Sequence, residues 1–313
     1  MTISLLILLC SFLVSASLAE AKTDRELDGL SGPVRTVVVE KTTLVPMPTP
    51  RRDTWLDQIQ VVRWESNRRE PAHPESRPAG PTDQRLLWHT ITYDTQGKRT
   101  EETFYTDEGT LRWKWRYTYD SHGQRTERIS YDSKEMVRWT WRYTYAAQGQ
   151  IAEQTEHNAQ GDLVRRWQYG YDAAGNVIAE SHYHTTGALL WKWRYTYDAA
   201  GQQTEKVQYT PQDTVVRKWL YAYDAHGQLR EESTYNVFDA LMSRRLYTYD
   251  GRGNVREEQY YKADGSLQGK WHHTYAYDAL GNWIKRSTAA WLITADGTAI
   301  EPAETTYRTL TYY

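Results

Sequence analysis

Between residues 83 and 285 the chain alternates in polarity one side chain at a time. Trp113-Lys-Trp-Arg-Tyr-Thr-Tyr119 puts rings at odd positions and cationic or hydroxyl groups at even ones. This period of two predicts a strand with one apolar and one polar face. Versions of the run return at 139–145, 167–171, 191–197, 219–223, 247–249 and 271–277. Tyr93, Tyr119, Tyr145, Tyr171, Tyr197, Tyr223 and Tyr249 stand 26 residues apart, and Tyr277 follows after 28. A glycine lies four residues after each: Gly97, Gly123, Gly149, Gly175, Gly201, Gly227, Gly253 and Gly281. Eight copies at a near-constant spacing predict a repeat array in which every copy contributes two strands and two turns.

The turns follow from local chemistry. Asp120 stands where a type I turn begins and Gly123 where the backbone must turn left-handed, which predicts a three-residue hairpin loop closed by a glycine bulge. The same motif recurs as Tyr171, Asp172 and Gly175, as Tyr197, Asp198 and Gly201, and as Tyr223, Asp224 and Gly227, while Ala146 replaces the aspartate in one copy. A second turn in each repeat uses Gly109, Gly161, Gly187 or Gly265, with Glu135, Asp213 and Asp239 as polar substitutes.

If both turns keep the register even, all odd positions share one face. That face would carry Trp113, Trp115, Tyr117, Tyr119, Ile129, Tyr131 and their equivalents, with a column of carboxylates at Glu101, Glu127, Glu153, Glu205, Glu231 and Glu257 that Ala179 interrupts. Lys114, Arg116, Thr118, Arg128 and Ser130 would form the solvated face. A sheet of about sixteen strands does not stay flat. The expected architecture is all-β, with one long curled or spiralling sheet, aromatic face inward.

Flanking segments complete the plan. A strand at 34–45, entered through Gly32-Pro33 and ended by Pro46, Pro48 and Pro50, with a short strand at 58–64, makes 22–64 an N-terminal cap over the first sheet edge. Residues 65–82 read as an exposed Pro- and Arg-rich loop, 83–285 as the array, and 286–313 as a C-terminal capping strand. Residues 3–16 are uncharged and largely apolar, then small residues follow at Ser17, Ala19 and Ala21, the pattern of a signal peptide over 1–21. The run is too short to span a bilayer. Export to the periplasm, cell surface or medium is the expected localisation, with no membrane span after signal removal. The single cysteine, Cys10, lies within that segment, so the mature chain has no disulfide, thiol nucleophile or cysteine-bound metal.

Composition changes the picture in two places. A formal net charge of -2 gives no basic surface for nucleic acid. There are 14 Trp and 25 Tyr against 3 Phe, so the aromatic positions mostly carry a polar handle.

Tyr117-Thr-Tyr-Asp-Ser-His-Gly123, Tyr195-Thr-Tyr-Asp-Ala-Ala-Gly201 and Tyr247-Thr-Tyr-Asp-Gly-Arg-Gly253 resemble the YD repeat of Rhs proteins and teneurins. The resemblance implies spiralling β-strips, a place at the cell surface or outside it, and an association with carbohydrate binding. The toxin role of large members does not transfer, because the repeats are too few for their shell and only about thirty residues follow the last repeat.

Candidate chemistry is weighed against packing. The recurrent aspartate is explained by its turn position, where it accepts backbone hydrogen bonds. Paired carboxylates among aromatics are what glycoside hydrolysis needs, but a residue repeated six times also reads as a structural ladder. The Trp and Tyr rows are either core or a platform for sugar rings. A binding strip would comprise Trp115, Trp141, Trp193, Glu127 and Glu205. Lys114, Arg166, Lys192, Lys218 and Arg244 form a cationic column that solubilises one face or meets anionic envelope polymers. His182 and His184 share a face without an evident third ligand. The sequence leads us to expect an exported binding or scaffold protein with no catalytic residues, no metal and no cofactor. Its partner is expected to be a glycan, an envelope polymer or a protein; a structural or secretion-associated scaffold and a glycosidase are the alternatives.

Overall fold

The computed structural model describes residues 23–43, 85–293, 299–300 and 303–313. The expected signal peptide, the strand at 58–64 and the 65–82 loop lie outside them. The chain opens with the one-turn helix α1 (Asp24–Leu27). The strands are then β1 (Val34–Thr43), β2 (Leu86–Tyr93), β3 (Arg99–Tyr105), β4 (Leu111–Tyr119), β5 (Arg125–Asp132), β6 (Val137–Tyr145), β7 (Ile151–Asn158), β8 (Leu163–Tyr171), β9 (Val177–His184) and β10 (Leu189–Tyr197). There follow β11 (Gln203–Tyr209), β12 (Val215–Tyr223), β13 (Leu229–Tyr235), β14 (Leu241–Tyr249), β15 (Val255–Lys262), β16 (Leu267–Tyr277), β17 (Trp283–Ile293), the two-residue β18 (Ala299–Ile300) and β19 (Ala303–Tyr312).

Every strand from β2 to β17 pairs antiparallel with its neighbours in sequence. The surprise is at the ends. β1 pairs with both β2 and β19, and β19 pairs in turn with β17. Eighteen strands therefore close into a ring, with β18 a short addition beside β17. The expected curled or spiralling sheet is instead a closed barrel, and its two capping strands cap each other. Each supplies the backbone donors and acceptors that the other's edge would leave open.

The turns form as their residues require. In the first complete copy Asp120 N–H donates to Gln124 O (2.9 Å) and Gly123 N–H to Asp120 O (3.0 Å). The Asp120 carboxylate accepts from the backbone N–H groups of His122 and Gln124, both at 2.9 Å. Gly123 has φ 81°, where a side chain would strain the backbone. Glu135, Asp213 and Asp239 occupy the same left-handed region with φ of 59°, 62° and 59°.

The register corrects the sequence expectation. Tyr119 does face Arg125, but the next pair is Thr118 with Glu127, so Thr126 is an extra residue. A like shift accompanies the second turn, between Phe104 and Tyr105. A bulge places two residues against one and moves everything beyond it to the other face. Two such bulges per repeat cancel, so Trp113, Trp115 and Tyr117 keep the same face as Trp139, Trp141 and Tyr143. On the returning strands the parity is reversed. Tyr117 pairs with Arg128 and Trp115 with Ser130, whereas Glu127 pairs with Thr118 and Arg142, and Ile129 and Tyr131 pair with Arg116 and Lys114. The glutamate column, Ile129 and Tyr131 therefore lie on the face opposite the tryptophans, and Arg128 and Ser130 lie with them.

Curvature tells inside from outside. Side chains on a concave face converge and shield one another, while those on a convex face splay apart. Tyr117, Trp141, Trp191, Tyr247 and Trp271 are buried, but Arg116, Thr118, Arg142, Thr144, Arg194 and Thr196 are exposed. The aromatic rows thus face the interior. An 18-stranded barrel is too wide for its side chains to fill, as 16- to 18-stranded barrels enclose a lumen. Accordingly Trp113, Trp115, Trp167, Trp193 and Trp219 keep partial exposure. Dense packing gathers near the seam, where Val34, Val37, Val39, Leu30 and Tyr93 form the core cluster with Ile91 and Leu310 against it. Full burial of each such aliphatic side chain contributes roughly 1.5–3 kcal/mol.

The anchor tyrosines explain the preference for Tyr over Phe. Tyr119, Tyr145, Tyr171, Tyr197, Tyr223 and Tyr249 each donate a hydroxyl hydrogen bond to the carbonyl twenty residues earlier, at 2.7–2.8 Å. That carbonyl opens the bulged strand of the preceding repeat. In the last copy, where the spacing is 28, Tyr275 makes the bond to Val255 O (2.9 Å), and Tyr277 reaches Asp250 instead (2.7 Å).

Candidate functional site

The inner face carries the groups with unusual chemistry. On the forward strands it presents tiers of rings: Trp113, Trp115 and Tyr117 on β4, Trp139, Trp141 and Tyr143 on β6, Trp191, Trp193 and Tyr195 on β10. On the returning strands the bulges bring in a 26-residue column one position after the glutamates, comprising Glu102, Arg128, Gln154, Glu180, Lys206, Glu232 and Glu258. Rings and charges therefore interleave around the lumen.

Two segments of this face share a plan. Trp115 and Trp141 lie 5.0 Å apart, and the Arg128 guanidinium sits 4.5 Å from each ring centre. Trp193 and Trp219 lie 5.4 Å apart, with the Lys206 ammonium 4.1 Å from the first and 5.9 Å from the second. A cation over an indole face is worth about 0.5–2 kcal/mol, more when desolvated. Between these segments, Glu180 accepts from the Tyr195 hydroxyl (2.8 Å) and lies 2.6 Å from His182. Burial pushes the Glu180 carboxyl up, but His182, Tyr195 and Lys206 together hold it below its ordinary value. His182 is wedged between Trp167 and Trp191, at 5.6 and 4.8 Å. His184 instead contacts Thr186 at a turn (3.2 Å), so the two histidines do not converge. Among the described residues no group of His, Cys, Asp or Glu assembles that could hold a metal ion.

One rim is occupied by the N-terminal segment. Thr23 and Glu26 form a capping box on α1. Asp24 accepts from Arg125 (3.0 Å) and from Arg99 N–H (2.9 Å), and it shares the single Tyr119 hydroxyl proton (2.6 Å) with Arg99 O. Arg99 Nη2 reaches both oxygens of Asp28 (2.6 and 2.7 Å), which also accepts a hydroxyl bond from Tyr93. Other repeats carry Ile151, Val177, Leu229 or Val255 where these two arginines stand. The arginines occur where the acidic segment docks.

The outer face is a ladder of ion pairs. Glu101 receives Arg116 (2.9 Å), Glu127 receives Arg142 (3.0 Å) and Glu257 receives Lys270 (2.8 Å). The cationic column is outside too. Lys114 pairs with Glu135 (2.9 Å), Lys192 with Asp213 (2.7 Å) and Lys218 with Asp239. Those are the three copies with an acid in the left-handed turn position, whereas copies with Gly161, Gly187 and Gly265 there carry Thr140, Arg166 and Arg244 in the column.

Of the candidate binding residues, the structure brings Trp115 and Trp141 together and places Trp193 on the same inner face. Trp141 is only 5 % exposed, its ring against Trp115 and Arg128. Glu127 and Glu205 are on the convex face and join none of them. Sequence reasoning missed Arg128, Lys206 and Glu180. Arg128 was expected on the solvated face because the bulge was not counted into the register, and Glu180 and Lys206 occupy the equivalent positions of later repeats.

No family model matches the chain, and no curated protein matches it. Among solved structures it is similar to a porin-like protein from Bacteroides uniformis, at 9% identity and TM-score 0.46, over 90% of this chain and 99% of that one. A porin-like protein from Bacteroides vulgatus aligns at 12% identity and TM-score 0.31, over 74% of this chain and 96% of that one. The Photorhabdus luminescens Tc holotoxin pore aligns at 12% identity and TM-score 0.29 over 71% of this chain, which spans only 17% of that protein's chain. At these identities and TM-scores the likenesses carry no function over to the chain.

Proposed function

We propose that this chain is an exported YD-repeat protein of the cell envelope or exterior that binds carbohydrate on the inner face of its barrel and performs no chemistry on it. The carrying observation is that the aromatic rows line a lumen, and that Trp115 and Trp193 keep partial exposure there beside hydrogen-bonding and charged groups. Flat rings with neighbouring polar groups suit sugar rings and their hydroxyls. The non-enzymatic reading is supported by the position of the repeated glutamates on the outer face, where Glu101, Glu127 and Glu257 are ion-paired. A soluble barrel is supported by the arginines and lysines that recur at outward positions, such as Arg116, Arg142 and Arg194, each of which would cost ~2–4 kcal/mol at a bilayer midplane.

The test is titration of envelope and extracellular glycans against the intrinsic tryptophan fluorescence, with acrylamide quenching before and after. Saturable binding that Trp115→Ala and Trp193→Ala weaken without unfolding the protein is the expected result. Loss of fold in both variants, or no binding by any glycan, overturns it.

A scaffold role is the second reading, and one observation favours it. Phe238, 84 % exposed, and Val237, 46 % exposed, stand at the tip of the β13–β14 turn. If the turn recruits a protein, Phe238→Ser abolishes co-purification of one defined partner and leaves the barrel intact; unchanged co-purification removes this reading.

A further inference from the structure

Many charged groups of the inner face are paired. Arg99 holds Asp28 and Glu102, Arg125 holds Asp24, and Glu102 also accepts from Tyr117 (3.0 Å). Arg165 lies 3.7 Å from Glu156, and Arg245 stands by Glu232 and Glu258. Arg128, like Arg217, Arg286 and Arg308, has no ion-pair partner among the described residues, but it alone of these lies within 4.5 Å of two indole rings. Among the described residues its guanidinium has no carboxylate within ion-pair distance and donates no hydrogen bond, and its Nε is buried without a partner. Its neighbours in the inner column do not supply a counter-charge, for Glu102 is engaged by Arg99 and Tyr117, and Gln154 is neutral. What holds it is the pair of indoles, 4.5 Å away on either side. Two rings grip the planar group, yet its N–H donors remain unspent.

An unspent guanidinium is costly to keep on a partly buried surface. Its fork matches a planar oxyanion, and stacking on aromatic faces fixes its orientation before a ligand arrives. The outer cationic column offers no such opportunity in three of its copies, because Lys114, Lys192 and Lys218 are each neutralised by a turn acid. Ser130, one of the few buried hydroxyls, lies beside Trp115 on the adjacent strand.

We propose that Arg128, held between Trp115 and Trp141, anchors the acidic group of an oxyanion-bearing saccharide in the barrel lumen. The carboxylate, sulfate or phosphate takes the guanidinium donors, and the sugar ring lies along Trp115. This rests on the carbohydrate reading above and specifies the class of sugar.

The experiment uses the full-length mature protein and four probes of matched length: oligogalacturonate, its neutral methyl ester, a sulfated glucan and its unsulfated parent. Binding is followed by tryptophan fluorescence and calorimetry for wild type, Arg128→Gln and Arg128→Lys, with thermal melts to establish that each variant is folded. An acidic probe is expected to bind about tenfold or more tightly than its neutral counterpart, the size of one charge-assisted hydrogen-bond pair. Arg128→Gln removes that preference while leaving the weaker binding of the neutral probe, and Arg128→Lys, which keeps the charge without the fork, retains part of it. Which acidic probe wins separates carboxylate from sulfate. Equal binding of acidic and neutral probes, or a preference that survives in Arg128→Gln, overturns the anchor and leaves the carbohydrate reading standing. No binding by any of the four sugars overturns both.

Discussion

Removing the Asp28 carboxylate tests how the N-terminal segment is fastened to the barrel. Asp28 accepts two bonds from Arg99, at 2.6 and 2.7 Å, and one from the Tyr93 hydroxyl. Both members of the ion pair are mostly shielded, with side-chain exposures of 18 % and 10 % for Arg99 and Asp28. Burial pulls the Arg99 guanidinium down, but Glu102 and Asp28 outweigh it and hold it well above its ordinary value. Breaking a buried pair by deleting one partner costs about 3–5 kcal/mol. Here Glu102 still holds Arg99 at 3.0 Å, so Asp28→Ala falls below that range, at roughly 2–3 kcal/mol including the orphaned Tyr93 hydroxyl. For a domain of this size that shifts the melting midpoint by roughly 4–12 °C. Urea and thermal unfolding of wild type, Asp28→Ala, Arg99→Met and the double variant give both the loss and the coupling. A double variant about as stable as the worse single one is expected. Strictly additive losses, or an Asp28→Ala midpoint equal to wild type, would refute the claim that this ion pair clasps the segment to the rim.

Three further outcomes follow from the geometry. Tyr197→Phe deletes the hydroxyl bond to Val177 O without changing shape and leaves a carbonyl unpaired, a loss of about 1 kcal/mol in urea unfolding; a neutral result would remove the hydroxyls as the reason for the tyrosine rows. Gly161→Ala meets no atom within 4 Å, so its effect isolates the φ of 88°, and roughly 1–2 kcal/mol of destabilisation is expected against none if the turn relaxes. Burial, aided by Lys41 and other cations, lowers His89 from 6.5 to about 3. The unfolded chain therefore takes up the proton first, and the stability present above pH 6.5 is lost as pH falls toward 3, by on the order of 1.4 kcal/mol per unit. His273, lowered to about 4 by burial and Arg286, adds to the slope. His89→Phe should flatten the melting midpoint between pH 6.5 and 5, above the range where carboxylates titrate, and an unchanged slope would exclude His89 as its source.

Strand positions, turn chemistry and the 26-residue spacing were legible because they are local. Alternation marks the strands, Asp120 and Gly123 define a turn within four residues, and Gly32-Pro33 leads into β1 at Val34. The tryptophan rows were also assigned correctly to one inward face. The glutamates were not, since one bulged residue such as Thr126 reverses the parity of all that follows it on its strand, and alternation alone cannot register an insertion that carries no signature of its own. Closure was decided only by the tertiary structure. It depends on Val34 meeting Tyr312 and Thr42 meeting Thr305, pairs more than 260 residues apart whose sequences show merely that each is a strand. What settles it is the coiling summed over sixteen intervening strands, which brings two otherwise unpaired edges within hydrogen-bonding distance, and with that turns the aromatic face into the wall of a lumen.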